Sequence, residues 1–182
     1  MAYQIGDTVA PFTLPRAEGG DLTVDPSAAP ATVVVFTANH CPYALAWHER
    51  VQQVARDYAD QGVAVIQINP NNQVTHPNDS TAASARRVAD GHFAGPYLRD
   101  EPQEVTRTWG AEKTPDVFIV DRSGALVYRG APDADHDDES QRATYIRQAL
   151  DDLLAGRPVA LSETPPKGCG VKWRTETVTI GS

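Results

Sequence analysis

The run Ala31-Thr32-Val33-Val34-Val35-Phe36-Thr37 constrains this chain more than any other segment. It is β-branched and apolar with no regular polar alternation, which predicts a strand buried on both faces of a parallel or mixed sheet. A helix signal follows almost at once. Pro42 suits a first helical position, where a missing N–H costs nothing. Ala44, Trp47, Val51, Val54, Ala55 and Tyr58 recur at helical spacing, and Gly62 offers the stop. Val63 to Ile68 reads as a second buried strand. A strand–helix–strand unit of this kind implies a parallel pair with a right-handed crossover. Cys41 stands where the first strand hands over to the helix.

The remaining segments extend an α/β layer pattern. Phe12-Thr13-Leu14 and Leu22-Thr23-Val24 flank Gly19-Gly20 and predict a hairpin. A polar loop from Asn69 to His76 precedes Asp79-Ser80, a cap for a helix ending near Ala89. Tyr97-Leu98-Arg99 predicts a short strand, and 101–109 a short helix ending at Gly110. Val117 to Val120 and Ala125 to Tyr128 predict an antiparallel hairpin about Asp121-Arg122-Ser123-Gly124. Glu139 to Leu154 predicts the last helix. Beyond Gly156 the chain turns rich in Pro and Thr, and Cys169 lies there. The reading is one domain over 1–156, including the N-terminal hairpin segment 1–30, with a tail extension over 157–182.

Composition narrows the function classes. The net charge of −8 opposes binding to nucleic-acid phosphates and long-range attraction to an anionic membrane. The first residues carry no basic region followed by an apolar run, and no stretch is long enough to span a bilayer. The expectation is therefore a cytoplasmic protein. In a reducing compartment its two cysteines, Cys41 and Cys169, are buried apolar residues, metal ligands or reactive thiols. No cysteine pair has zinc-site spacing. The acidic run 133–139 lacks the glycine and the spaced terminal glutamate of a calcium loop, and reads as a solvated loop capping the last helix. Neither a metal nor an organic cofactor is expected.

Three segments carry a resemblance. Phe36-Thr37-Ala38-Asn39-His40-Cys41 resembles the approach to the thioredoxin reactive helix. Thr114-Pro115-Asp116-Val117-Phe118-Ile119-Val120-Asp121 resembles the strand that begins with the thioredoxin cis-proline. Gly124-Ala125-Leu126-Val127-Tyr128-Arg129-Gly130 resembles the returning hairpin. The chain is similar to thioredoxin-like members of the alkyl hydroperoxide reductase and thiol-specific antioxidant family. One branch of it carries an Asn-His-Cys-Pro-Tyr segment and a Gly-Cys-x-x-Lys-Trp tail, here Gly168-Cys169-Gly170-Val171-Lys172-Trp173. The resemblance implies a thioredoxin fold with a central mixed sheet flanked by helices. It also implies a cis Thr114-Pro115 bond beside the reactive sulfur, with the Thr114 backbone offered to an extended substrate.

Three departures bear on mechanism. Ala44 replaces the second motif cysteine of thioredoxin, so no disulfide forms within the motif. Val35 replaces its buried carboxylate. Thr37 stands four residues before Cys41, whereas peroxiredoxins place their threonine three before. The reading is a thiol-based oxidoreductase, either a thiol–disulfide exchanger or an antioxidant peroxidase, with Cys41 as nucleophile. A sulfur at a helix N-terminus is stabilised as the thiolate by free N–H groups and the dipole. His40 is a candidate for tuning its pKa, and Cys169 a candidate resolving thiol. Thr114, Pro115, Tyr43 and Asn39 are assigned as substrate contacts. The substrate is a peroxide or a protein disulfide, and the partner a cellular thiol reductant. On this reading the sulfur faces a proline-backed groove open to solvent. The alternative is a non-catalytic module that holds an extended peptide in that groove.

Overall fold

The computed structural model describes residues 1–175. Phe12–Pro15 (β1) pairs antiparallel with Asp21–Val24 (β2) as a separate ribbon. Ala31–Phe36 (β3) leads through Cys41 into Pro42–Tyr58 (α1), and Ala64–Asn69 (β4) follows. Thr81–Ala89 (α2) is capped by Ser80, whose hydroxyl accepts the Ala83 N–H at 3.0 Å. Tyr97–Arg99 (β5), Glu104–Trp109 (α3), Lys113–Thr114 (β6), Asp116–Asp121 (β7), Leu126–Gly130 (β8) and Thr144–Leu154 (α4) complete the body. Cys169–Gly170 (β9) is a short strand in the tail.

The central sheet runs β5-β4-β3-β7-β8. β3 is parallel to β4 and antiparallel to β7, so the valine run sits at the middle with both faces covered. Val33 and Val35 point to one face, where Val51, Val54 and Tyr58 of α1 meet Ile146 and Leu150 of α4. Val34 and Phe36 point to the other, against Trp109, Phe118 and Leu14. Every residue of β3 is buried. Each fully buried Val or Phe of this kind contributes roughly 1.5–3 kcal/mol, which explains why the run dominates the fold. Among the described residues no helix is long and apolar enough to cross a membrane.

Two helices begin later than their local sequence predicts. α3 starts at Glu104 rather than Glu101, because Gln103 adopts a left-handed backbone with φ 65°. Asp100 then accepts both the N–H and the hydroxyl of Thr106, at 2.7 and 2.6 Å. α4 starts at Thr144 rather than Glu139. The preceding acidic loop is not simply solvated, because it wraps Arg50 of α1. The guanidinium donates to Asp133 and to the carbonyls of Asp135, His136 and Asp138. Asp133 is fully buried and also accepts from Trp47 Nε1 at 2.7 Å and from the Ala143 N–H at 2.9 Å. Long-range bonds to a half-buried cation outweigh the helix propensity of 139–143.

Candidate active site

β3 carries the chain to the carboxyl end of the sheet, and the extended residues 37–41 cross to α1. Cys41 is the cap residue of α1, with φ −69° and ψ 124°, and Pro42 opens the first turn. The first-turn N–H groups have no partners within the helix. The Cys41 side chain makes no capping hydrogen bond to this tip, but the nearby Ala44 N–H favours its thiolate, and the Tyr43 N–H acts in the same sense on Cys169.

Cys169 reaches that tip because the tail lies along β6. β9 pairs antiparallel with β6, with Cys169 opposite Thr114 and Gly170 opposite Lys113. The Thr114-Pro115 bond is cis. Both cysteines are free thiols, and Cys169 packs on the small cluster of Ala38, Cys41 and Ala44. The expected open groove is therefore absent: Cys41 has 0% exposure. The sulfur is shut in by the tail on the cis-proline side, so the groove exists but its occupant is the chain itself.

The two thiols ionise in opposite directions. Burial alone would push the Cys41 thiol up. The Cys169 S–H, the Ala44 N–H and the Cys169 N–H counter it and bring the group below its ordinary value; the buried Thr114 hydroxyl has no hydrogen-bond partner among the described residues. The Thr114 carbonyl, 3.0 Å from the sulfur, accepts the thiol proton when Cys41 is neutral. Burial pushes Cys169 up to about 11, helped by its bond to the Cys41 sulfur and by that sulfur's charge. Of the pair, Cys41 therefore ionises first and Cys169 last.

His40 does not bond the sulfur. Its Nδ1 pairs with Asp79, and its ring stacks on His76 at 5.3 Å. Asn39 is likewise held by the protein rather than free for a substrate. Its N–H donates to Asp79 at 2.6 Å, its amide NH2 to Ser84 Oγ and Asn78 O, and its carbonyl accepts from Tyr97 and Arg87. Tyr43 packs beside Cys41, faces His136 at 4.3 Å and has the Lys167 ammonium 6.0 Å above its ring. Thr114 and Pro115 are buried, and the Thr114 edge is taken by β9.

Several residues matter that local sequence did not reveal. Asp79, fully buried, gathers Asn39, His40, Asn69 and Asn71 behind the helix tip. Asn71 then accepts the Lys172 N–H at 2.8 Å. Gln103 donates to the Lys172 carbonyl and accepts from the Arg174 N–H. No spacing rule finds such contacts, because they join loops far apart in sequence. Asp135, His136 and Asp137 bring ligand-type atoms within 4.8 Å of one another, but both carboxylates are exposed and the loop shape follows from Arg50.

This geometry can be set beside known proteins. The model of the AhpC/TSA family matches residues 5–129, a span that contains Cys41 and Pro115. The chain belongs to the AhpC/TSA family. At family level this AhpC/TSA protein is a thiol oxidoreductase. It is similar to an uncharacterized conserved protein from Geobacillus kaustophilus, with a TM-score of 0.87 and 36% identity over 94% of this chain and 93% of that one. A hypothetical protein from Sinorhizobium meliloti 1021 gives a TM-score of 0.87 and 35% identity over 96% and 97%. The pneumococcal lipoprotein thioredoxin Etrx1 from Streptococcus pneumoniae TIGR4 gives 0.59 and 20% over 79% and 99%, a likeness of fold. No curated protein matches the chain. The fold is the thioredoxin fold, a mixed sheet flanked by helices.

Proposed function

We propose that this AhpC/TSA protein cycles between a Cys41/Cys169 dithiol and a Cys41–Cys169 disulfide while reducing an oxidant, a peroxide first of all. The observation that carries the reading is the β6–β9 ladder, which sets Cys169 opposite Thr114 while the Thr114 carbonyl contacts the Cys41 sulfur. The thiolate is the competent nucleophile, and the donors around Cys41 favour it.

Cys41 attacks one peroxide oxygen. The S–O bond forms as the O–O bond breaks, and the departing hydroxide or alkoxide takes up a proton. Cys41 leaves this step as a sulfenic acid. Cys169 then attacks that sulfur; the S–S bond forms, the S–O bond breaks, and the hydroxide leaves as water with the Cys169 proton. A cellular thiol reductant supplies two electrons and two protons to restore both thiols. A reducing compartment such as the cytoplasm would provide it. Lys113 and Thr114 are already paired with the tail, which argues against a module whose purpose is to hold a foreign peptide there.

The test is mass spectrometry after limited hydrogen peroxide. Wild type should show a Cys41–Cys169 bridge. Cys169→Ser should accumulate the Cys41 sulfenic acid, and Cys41→Ser should form neither. A wild-type protein that oxidises at Cys41 yet never forms the bridge removes Cys169 from the mechanism. Stopped-flow comparison of hydrogen peroxide, an organic peroxide and a model disulfide ranks the oxidants.

A further inference from the structure

The tail is fastened on both sides of Cys169. Upstream, the Thr164 N–H donates to the Arg129 carbonyl at 3.1 Å, and the Thr164 hydroxyl accepts from the Ala131 N–H and bonds Tyr128. Downstream, the Val171 N–H donates to the Glu112 carbonyl at 3.0 Å, and the Asn72 N–H donates to the Lys172 carbonyl at 2.9 Å. Asn71 and Gln103 hold Lys172 and Arg174 as described. Trp173 lies under the Arg107 guanidinium at 4.4 Å. The tail therefore runs extended between the cis-proline loop and the loop after β4, bonded to both.

Gly168 shows how close this approach is. A Cβ built there would collide with the carbonyl of Thr114, so no residue with a side chain fits while the strand is docked. Gln103 shows the same fit from the other wall. It is buried, holds a left-handed φ of 65°, and turns both ends of its amide on the tail. A strained backbone persists where its surroundings over-determine it.

We infer that the docked tail is a built-in occupant of the substrate edge, one that keeps extended polypeptides away from Cys41 and so sets the substrate class to small oxidants. The inference rests on the reading of Cys41 as the attacking sulfur. With both flanks pinned and β9 paired with β6, only residues 165–167 are able to lift. That opens a gap for a peroxide, whereas a polypeptide strand needs the Thr114 edge that β9 occupies.

The experiment compares Cys41 oxidation by hydrogen peroxide and by insulin, a disulfide-bonded polypeptide, in the full-length protein. Two variants release the tail from opposite walls. Gly168→Val pushes a side chain into the Thr114 carbonyl, and Gln103→Gly removes the clasp while accepting the left-handed backbone. One or two lost kcal/mol shifts an equilibrium by roughly 5- to 30-fold, so the insulin rate should rise by about tenfold in both variants. The peroxide rate should change far less. Equal change for both oxidants, or an insulin rate unmoved in either folded variant, overturns the inference and leaves the redox cycle standing. A Cys41 inert to both oxidants in every form overturns the redox cycle as well.

Discussion

Two mounts hold the two sulfurs, and each is built on a buried aspartate. The helix mount rests on Asp133, which takes bonds from Trp47, Arg50, Asp135 N–H and Ala143 N–H. The tail mount rests on Asp116, just past the cis-proline. One of its oxygens accepts the Glu112 N–H at 3.2 Å, with Arg129 3.7 Å away; the other has no partner among the described residues. The Glu112 carbonyl in turn grips Val171. Burial therefore raises Asp116 to about 7. A buried carboxylate met by few donors is left to its desolvation, which favours the protonated form.

Breaking the helix mount should have the larger effect. Asp133→Ala leaves the half-buried Arg50 without its carboxylate, and Trp47 and the start of α4 without their acceptor. A loss of about 3 kcal/mol is expected, read as a lower urea midpoint with an unchanged slope.

The tail mount should instead show pH dependence. The folded state keeps Asp116 protonated from its ordinary 3.8 up to about 7. In that window the folded chain binds more protons than the unfolded one, so stability is full below 3.8 and falls as pH rises through 7. Three units correspond to about 4 kcal/mol as an upper bound. Asp116→Asn should flatten this contribution and leave the variant relatively more stable above pH 7. Urea midpoints measured from pH 4 to 8 check it, and parallel curves for the two proteins would remove Asp116 from the account.

The finest test concerns the sulfurs themselves. The Cys169 S–H is the foremost donor holding the Cys41 thiol down. Cys169→Ala should raise the Cys41 pKa, seen as a later rise in thiolate absorbance during an alkaline titration. An unmoved midpoint would mean that the helix tip alone stabilises the anion.

Much of the fold was legible because it is local. The valine run, Pro42 and the α1 spacing name the strand, the turn and the helix, and Gly110 and Gly62 mark helix ends. The late starts of α3 and α4 were not legible. Gln103 and Ala143 take left-handed backbones only because Asp100, the tail and Asp133 bind their surroundings. His40 shows the same limit: adjacency to Cys41 in sequence suggested a partner, but the side chain turns to Asp79.

Sequence by itself determined that a sulfur stands at the tip of the first core helix, because period and proline placement are properties of a few consecutive residues. Tertiary structure alone decided that the sulfur is covered, and by what. The pairing of Cys169 with Thr114 depends on contacts between segments distant along the chain, fastened by Asn71, Gln103 and Glu112, and no local pattern encodes those distances.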